Sequence, residues 1–223
     1  MLLTKLQFKE ELNNAKKRRY SLIFLGMSSS GKTHWSKILC EKFHFNHVEF
    51  DDLIGDSEDF ADLIKDVHGN TKAAKLGIYF GKPWDDEFKE KERKYLAIER
   101  KFMSKEYPPG SILDLTGSAV YHPKELAKLT KKGLVIYLET TKDTHEEMLR
   151  RYLNEPKPIC WNGNFNKKKG ESNKEALIRC FFRLIKDREK LYEKFADVKI
   201  KYGVFRNLKS HGKFVQAINK QLA

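Results

Sequence analysis

The residues of this chain best placed to do chemistry stand in one short stretch, GMSSSGKT, running from Gly26 to Thr33. Its pattern, a glycine, four intervening residues, then Gly-Lys-Thr, is that of a loop whose backbone N–H groups wrap nucleotide phosphates. The lysine of such a loop reaches the β and γ phosphates, and the hydroxyl after it binds Mg²⁺. Gly26, Ser28, Ser29, Ser30, Gly31, Lys32 and Thr33 therefore read as a binding loop for ATP with Mg²⁺.

A loop of this kind needs a strand ending at its first glycine and a helix starting at its lysine, so that the helix N-terminus faces the anion. The apolar run Ser21–Leu25 supplies the strand, and Trp35, Ile38, Leu39 and Phe43 recur at helical spacing after it. Further strands are expected at Asn46–Phe50, Ser111–Leu115, Leu134–Leu138 and Val198–Tyr202, with helical stretches between them. This alternation predicts an α/β fold, a three-layer α/β/α P-loop NTPase with a five-stranded parallel sheet.

Ligands of such sheets bind beyond the carboxyl ends of the strands. Asp51, the turn Thr116-Gly117-Ser118, and Glu139-Thr140-Thr141 all follow predicted strands. Asp51 either orients an attacking hydroxyl and takes its proton or caps the next helix. Asp114, closing SILD, resembles the metal-side aspartate of a Walker B strand, and a plain strand-end aspartate reads the same way.

The chain is expected to form a single domain over residues 1–223. Residues 1–19 read as a basic amphipathic helix, and 53–109, which lack a convincing strand, as a helical substrate-binding insertion over the cleft. Residues 154–173, polar and lysine-rich, read as a mobile lid that excludes water from the reaction. In the tail, Phe214, Ile218 and Leu222 share one helical face for packing.

A net charge of +13 suits either nucleic acid or a cleft for ATP and an anionic substrate, and no nucleic-acid module is visible. The runs Lys16–Arg19 and Lys167–Lys169 read as solvated surface. No apolar run reaches membrane-spanning length, and no signal peptide is evident, so a cytoplasmic location is expected, with the protein a monomer. Cys40, Cys160 and Cys180 lack metal or disulfide spacing, the histidines show no metal-binding spacing, and His122 before Pro123 reads as a helix start.

From Ser21 to Ile200 the chain resembles the shikimate kinase family of small P-loop kinases. The segments that carry the resemblance are IFLGMSSSGKT, EFDDLI, EFKEKERKYL, LDLTGSAVYHP, GLVIYLETT, EPKPICW and DREKLYEKFADVKI. It implies ATP-dependent phosphorylation of a small hydroxyl compound. Glu49 would hold a magnesium-bound water beside Thr33 and Asp114, and Asp51 would meet the acceptor hydroxyl. Lys89, Glu92, Thr116, Gly117, Ser118 and Arg188 would bind the acceptor. Lys157 would be the lid cation over the phosphates, with Arg150 and Arg151 as alternatives. This chain has Lys89 where the family has an arginine, and Thr116 and Ser118 where it has glycines; a lysine lacks the planar bidentate fork. The implied acceptor is therefore a hydroxylated acid or a smaller polyol rather than shikimate in particular. Arg188 falls on or beside the apolar side of its helix, so it needs an anion: a substrate carboxylate, or Glu92 or Asp51 in a structural ion pair. A nucleotide-binding regulatory or RNA-associated protein, and a nucleotide or polynucleotide kinase, are the competing readings.

Overall fold

The computed structural model describes residues 3–154, 158–208 and 210–223. In chain order the elements are α1 (Lys5–Asn13), β1 (Ser21–Leu25), α2 (Lys32–Phe43), β2 (Asn46–Glu49), α3 (Phe50–Gly55), α4 (Glu58–Leu63), α5 (Lys72–Phe80) and α6 (Phe88–Met103). They continue with β3 (Ser111–Asp114), α7 (Pro123–Thr130), β4 (Gly133–Leu138), α8 (Lys142–Asn154), α9 (Asn173–Phe195), β5 (Val198–Ile200), α10 (Tyr202–Phe205) and α11 (His211–Asn219). The chain forms two compact units. One comprises Met1–Asp51, Met103–Thr140 and Glu189–Ala223; the other comprises Asp52–Phe102 and Thr141–Arg188.

The first unit is built on a five-stranded sheet in the order β2-β3-β1-β4-β5. Every pairing in it is parallel. The central strands SLIFL and GLVIYL are buried at every position, as strands covered on both faces must be. On one face Leu22, Phe24, Ile112, Leu134, Ile136 and Leu138 join a core with Trp35 and Leu39 of α2, Phe8 of α1 and Phe214 and Ile218 of α11. Trp35 stacks on Phe214 with ring centroids 4.1 Å apart and planes within 5°. The alternate residues of β4 point to the other face, where Tyr137 meets Tyr192 at 5.2 Å and α7 lies along β4.

The strands begin where the sequence places them, to within a residue, and most end one or two residues sooner. The tail packs as expected: Phe214, Ile218 and Leu222 are all buried. His122 precedes α7 as its N-cap residue, with Pro123 at the first helical position. The basic run near the N-terminus departs from the expected solvated surface. Arg18 donates to the carbonyls of Glu11 (2.7 Å), His44 (2.7 Å), Leu12 and Phe43 and lies 3.6 Å over the Phe45 ring. One guanidinium thereby ties the C-terminal carbonyls of α1 to those of α2, and the desolvation this entails lowers its pKa.

The second unit is helical among the described residues, with no strand in its Asp52–Phe102 part. Ser57 and Thr71 cap α4 and α5 through their hydroxyls. Its core is aromatic: Phe80 meets Phe88 and Tyr95 edge-on at 5.7 and 5.6 Å, and Tyr152 stacks on Phe181 at 5.9 Å. The apolar side of α9 from Leu177 to Ile185 belongs to this unit; only the last turns of α9, from Glu189 on, belong to the sheet unit. No helix of the described residues is long and apolar enough to cross a membrane.

Candidate functional site

In the first unit the loop Gly26–Thr33 links β1 to α2, and α2 begins at Lys32. Gly26 has φ +148°, and a Cβ there would lie 2.8 Å from Ser30 Oγ and 2.9 Å from the Leu138 carbonyl oxygen. Gly31 takes φ +96° and Ser29 takes φ +63°, so the chain turns twice through the left-handed region within three residues. Such turns set successive N–H groups into a concave cradle. Thr4, Ser57, Thr71 and Ser210 cap their helices by side chain, but α2 has no side-chain cap. Its first-turn amides keep their partial positive charge for an anion.

Lys32, nearly buried, donates from Nζ to the carbonyls of Gly26 and Met27, both at 3.2 Å. These long bonds lay the ammonium across its own loop. Among the described residues, Ser30 Oγ is buried without a hydrogen-bond partner. A phosphate cradle with an unanswered hydroxyl and a cation laid over it fits a nucleotide.

Thr33 projects from the first turn of α2 and donates to Asp114 Oδ2 at 2.5 Å, with Glu49 Oε1 at 3.3 Å. The parallel register pairs Glu49 with Asp114 at the carboxyl ends of β2 and β3, which places both acids beside the loop. Burial pushes the Asp114 carboxyl above its ordinary pKa, and Lys32 and the Thr33 hydroxyl pull it back. Two carboxylates and a hydroxyl are hard oxygen donors, the chemistry Mg²⁺ requires. Sequence reasoning missed a neighbour: His47, two residues before Glu49, joins Glu49 and Asp114 in a group whose ligand atoms lie within 4.8 Å of one another. The readable signal was His-x-Glu on a strand, which sends both side chains to one face.

Asp51 is exposed and is the second residue of α3, inside the helix rather than at its cap. Thr116 and Ser118 are buried, with their hydroxyls 3.5 Å apart. Between them the Gly117 carbonyl accepts from Tyr192 Oη at 2.6 Å, which fixes the turn after β3.

In the second unit Glu92 and Arg188 are brought together. Glu92, nearly buried on α6, accepts from the backbone N–H of Trp161 and, at 3.0 Å, of Asn162. Burial raises its pKa, against those two N–H groups and the nearby Arg188 charge. Arg188 is 5% exposed and donates to the Cys160 carbonyl at 2.7 Å. The anion that its buried position requires is present within the chain. Lys89 stands exposed at the second position of α6.

Lys157 lies outside the described residues. The alternatives, Arg150 and Arg151, are exposed and both bind Glu147, at 2.8 and 2.7 Å through Nε. The described part of the expected lid is anchored to α9: Arg183 holds the Asn164 carbonyl, and Arg179 holds that of Asn166 at 2.7 Å. Trp161 is buried in aromatic packing, with Phe165 at 5.7 Å.

The family model described as shikimate kinase matches residues 28–219. No curated protein matches the chain in sequence. Among solved structures it is similar to shikimate kinase from Acinetobacter baumannii in complex with shikimate: TM-score 0.52, 16% identity, covering 95% of this chain and 94% of that one. Shikimate kinase from Bacteroides thetaiotaomicron gives TM-score 0.52 at 11% identity, over 90% of this chain and 97% of that one. The enzyme from Aquifex aeolicus vf5 gives 0.52 at 13%, over 90% and 95%. At these identities the structures speak for the fold, a parallel sheet with a phosphate loop after its central strand. The family match, which runs from inside that loop almost to the C-terminus, places the protein in the shikimate kinase family.

Proposed function

We propose that this protein transfers the γ-phosphoryl group of Mg-ATP to a hydroxyl of a small anionic acceptor. The observation that carries this reading is the Thr33 hydroxyl set against Asp114 and Glu49 at the head of an uncapped helix, with Lys32 lying over the same loop. Phosphoryl transfer asks chiefly for positioning and charge neutralisation, which these residues can provide. Bound there, Mg²⁺ would offset phosphate charge; Thr33, Glu49 and Asp114 are the residues to hold it, directly or through water.

Asp51 accepts the acceptor's hydroxyl proton. The hydroxyl oxygen bonds to phosphorus as the bond to the bridging oxygen breaks, and ADP leaves. Lys157 serves as the lid cation. Lys89, Glu92, Thr116, Gly117, Ser118 and Arg188 select the acceptor. Its anionic character is supported by the shikimate bound to the similar Acinetobacter baumannii enzyme. The Thr116 and Ser118 side chains, buried where the family has glycines, favour an acceptor shaped differently from shikimate.

The test is ADP release from Mg-ATP across hydroxy acids, polyols and nucleosides. A hydroxy acid should stimulate release, and Asp51→Asn should lower turnover by about a hundredfold or more with ATP affinity kept. Steeply salt-dependent RNA binding with no stimulated release would overturn the reading.

A further inference from the structure

The nitrogen beside the two carboxylates of the first unit changes what that site can hold. His47 and Glu49 leave β2 on one face, and Glu49 pairs in register with Asp114. A ring nitrogen of His47 and one oxygen from each acid lie within 4.8 Å of one another. Thr33 Oγ1 bonds Asp114 at 2.5 Å and lies 3.3 Å from Glu49. Nε2 of His47 is buried and, among the described residues, has no hydrogen-bond partner, a state that ordinarily costs stability. Lys37 at present neutralises Glu49 from 3.2 Å, but its side chain is 59% exposed and can turn outward.

One cation would answer the crowded acids and a ring nitrogen of His47 together. Mg²⁺ is a poor candidate for the nitrogen, since it takes oxygen ligands and gives up water reluctantly. Imidazole with carboxylate suits the later first-row dications, whose affinity for such sites rises along the series from Mn²⁺. We propose that His47, Glu49 and Asp114 form a site for a transition-metal dication, with His47 as nitrogen ligand, occupied in preference to Mg²⁺ and without nucleotide. The proposal rests on the reading of Glu49 and Asp114 as cation ligands and is independent of phosphotransfer.

Titration calorimetry of the full chain without nucleotide, using Co²⁺ and then Mg²⁺ as probes, tests it. The wild type should bind one equivalent of Co²⁺ at least about tenfold more tightly than Mg²⁺, and His47→Gln should weaken Co²⁺ by about tenfold or more with Mg²⁺ little changed. Equal affinity for the two ions, or a His47→Gln protein that holds Co²⁺ as the wild type does, overturns it. Should that variant fold poorly, the spin-echo spectrum of Mn²⁺ bound to the wild type decides: an imidazole nitrogen coupling supports the site, and its absence refutes it. Co²⁺ binding through His47 in a protein that phosphorylates no acceptor would leave this site standing and overturn the kinase reading. Mg-ATP turnover with His47-independent Co²⁺ binding would do the reverse.

Discussion

The two units carry their charged groups in opposite ways. In the sheet unit the charges crowd around one loop and answer one another rather than the backbone: two acids meet across a strand pair against Thr33, Lys37 and the Lys32 charge, and among the described residues buried Ser30 and His47 atoms lack hydrogen-bond partners. In the helical unit Glu92 and Arg188 are as deeply buried but are answered by the chain, the acid by two backbone N–H groups and the arginine by a carbonyl. Unanswered polar groups at a loop cost stability and mark a place built for a ligand, whereas answered ones stabilise the fold first.

The largest effect separating the units is expected from Lys32→Ala. It should reduce acceptor-stimulated ADP release by about a hundredfold to a thousandfold, the scale for removing a charge-stabilising donor from a transition state. Its melting temperature should stay within a few degrees of wild type, because what is lost is two long bonds to carbonyls and a charge interaction with Asp114, which keeps its bond from Thr33. A large drop in melting temperature with activity kept would erase the contrast, since Lys32 would then be structural.

The same contrast explains what the sequence disclosed. The loop is local: eight consecutive residues dictate its turns and its helix start, so GMSSSGKT and the strand before it were readable directly. The ends of β1 and β4 were legible because central parallel strands are apolar throughout, whereas β2, β3 and β5 stop one or two residues short of the runs that predicted them. Arg18 read as surface because its partners are carbonyls, which no side-chain pattern reveals. Likewise the Cys160 carbonyl that meets Arg188 lies 28 residues away, and Glu92 reaches Trp161 across 69. The His47 group needed the pairing of β2 with β3, a register that only the folded sheet supplies.

In the helical unit the next largest effect is on stability. Glu92→Ala should cost about 3 kcal/mol or more in urea unfolding, since it leaves the N–H groups of Trp161 and Asn162 without their acceptor and takes the carboxylate away from Arg188. A loss below about 1 kcal/mol would mean that this unit holds its charges as loosely as the other. Arg188→Lys is finer. It should raise the acceptor's KM by about 1.5–3 kcal/mol in free-energy terms, leave that for ATP unchanged, and lower the melting temperature because the Cys160 carbonyl loses its guanidinium. A fall in melting temperature with the acceptor's KM unmoved would assign Arg188 to structure alone.

The smallest effect, Glu92→Gln, isolates charge from hydrogen bonding. Both N–H groups go to the same carboxylate oxygen, Oε1, which the amide oxygen of glutamine can replace. What changes is the titration. Burial raises the Glu92 pKa above its ordinary 4.5 in the folded protein, outweighing the N–H groups and Arg188, so the folded state binds the proton more tightly than the unfolded chain does. The stability linked to that proton is complete below pH 4.5 and is lost as pH rises through the raised value. Glutamine cannot titrate, so the melting temperature of wild type minus that of Glu92→Gln should fall as pH rises from below 4.5 through the raised value. Subtracting the two profiles cancels every group that titrates alike in both proteins. A difference that rises with pH would show the opposite balance: Arg188 and the two N–H groups would then outweigh burial, and the pair would stabilise the helical unit in its charged form.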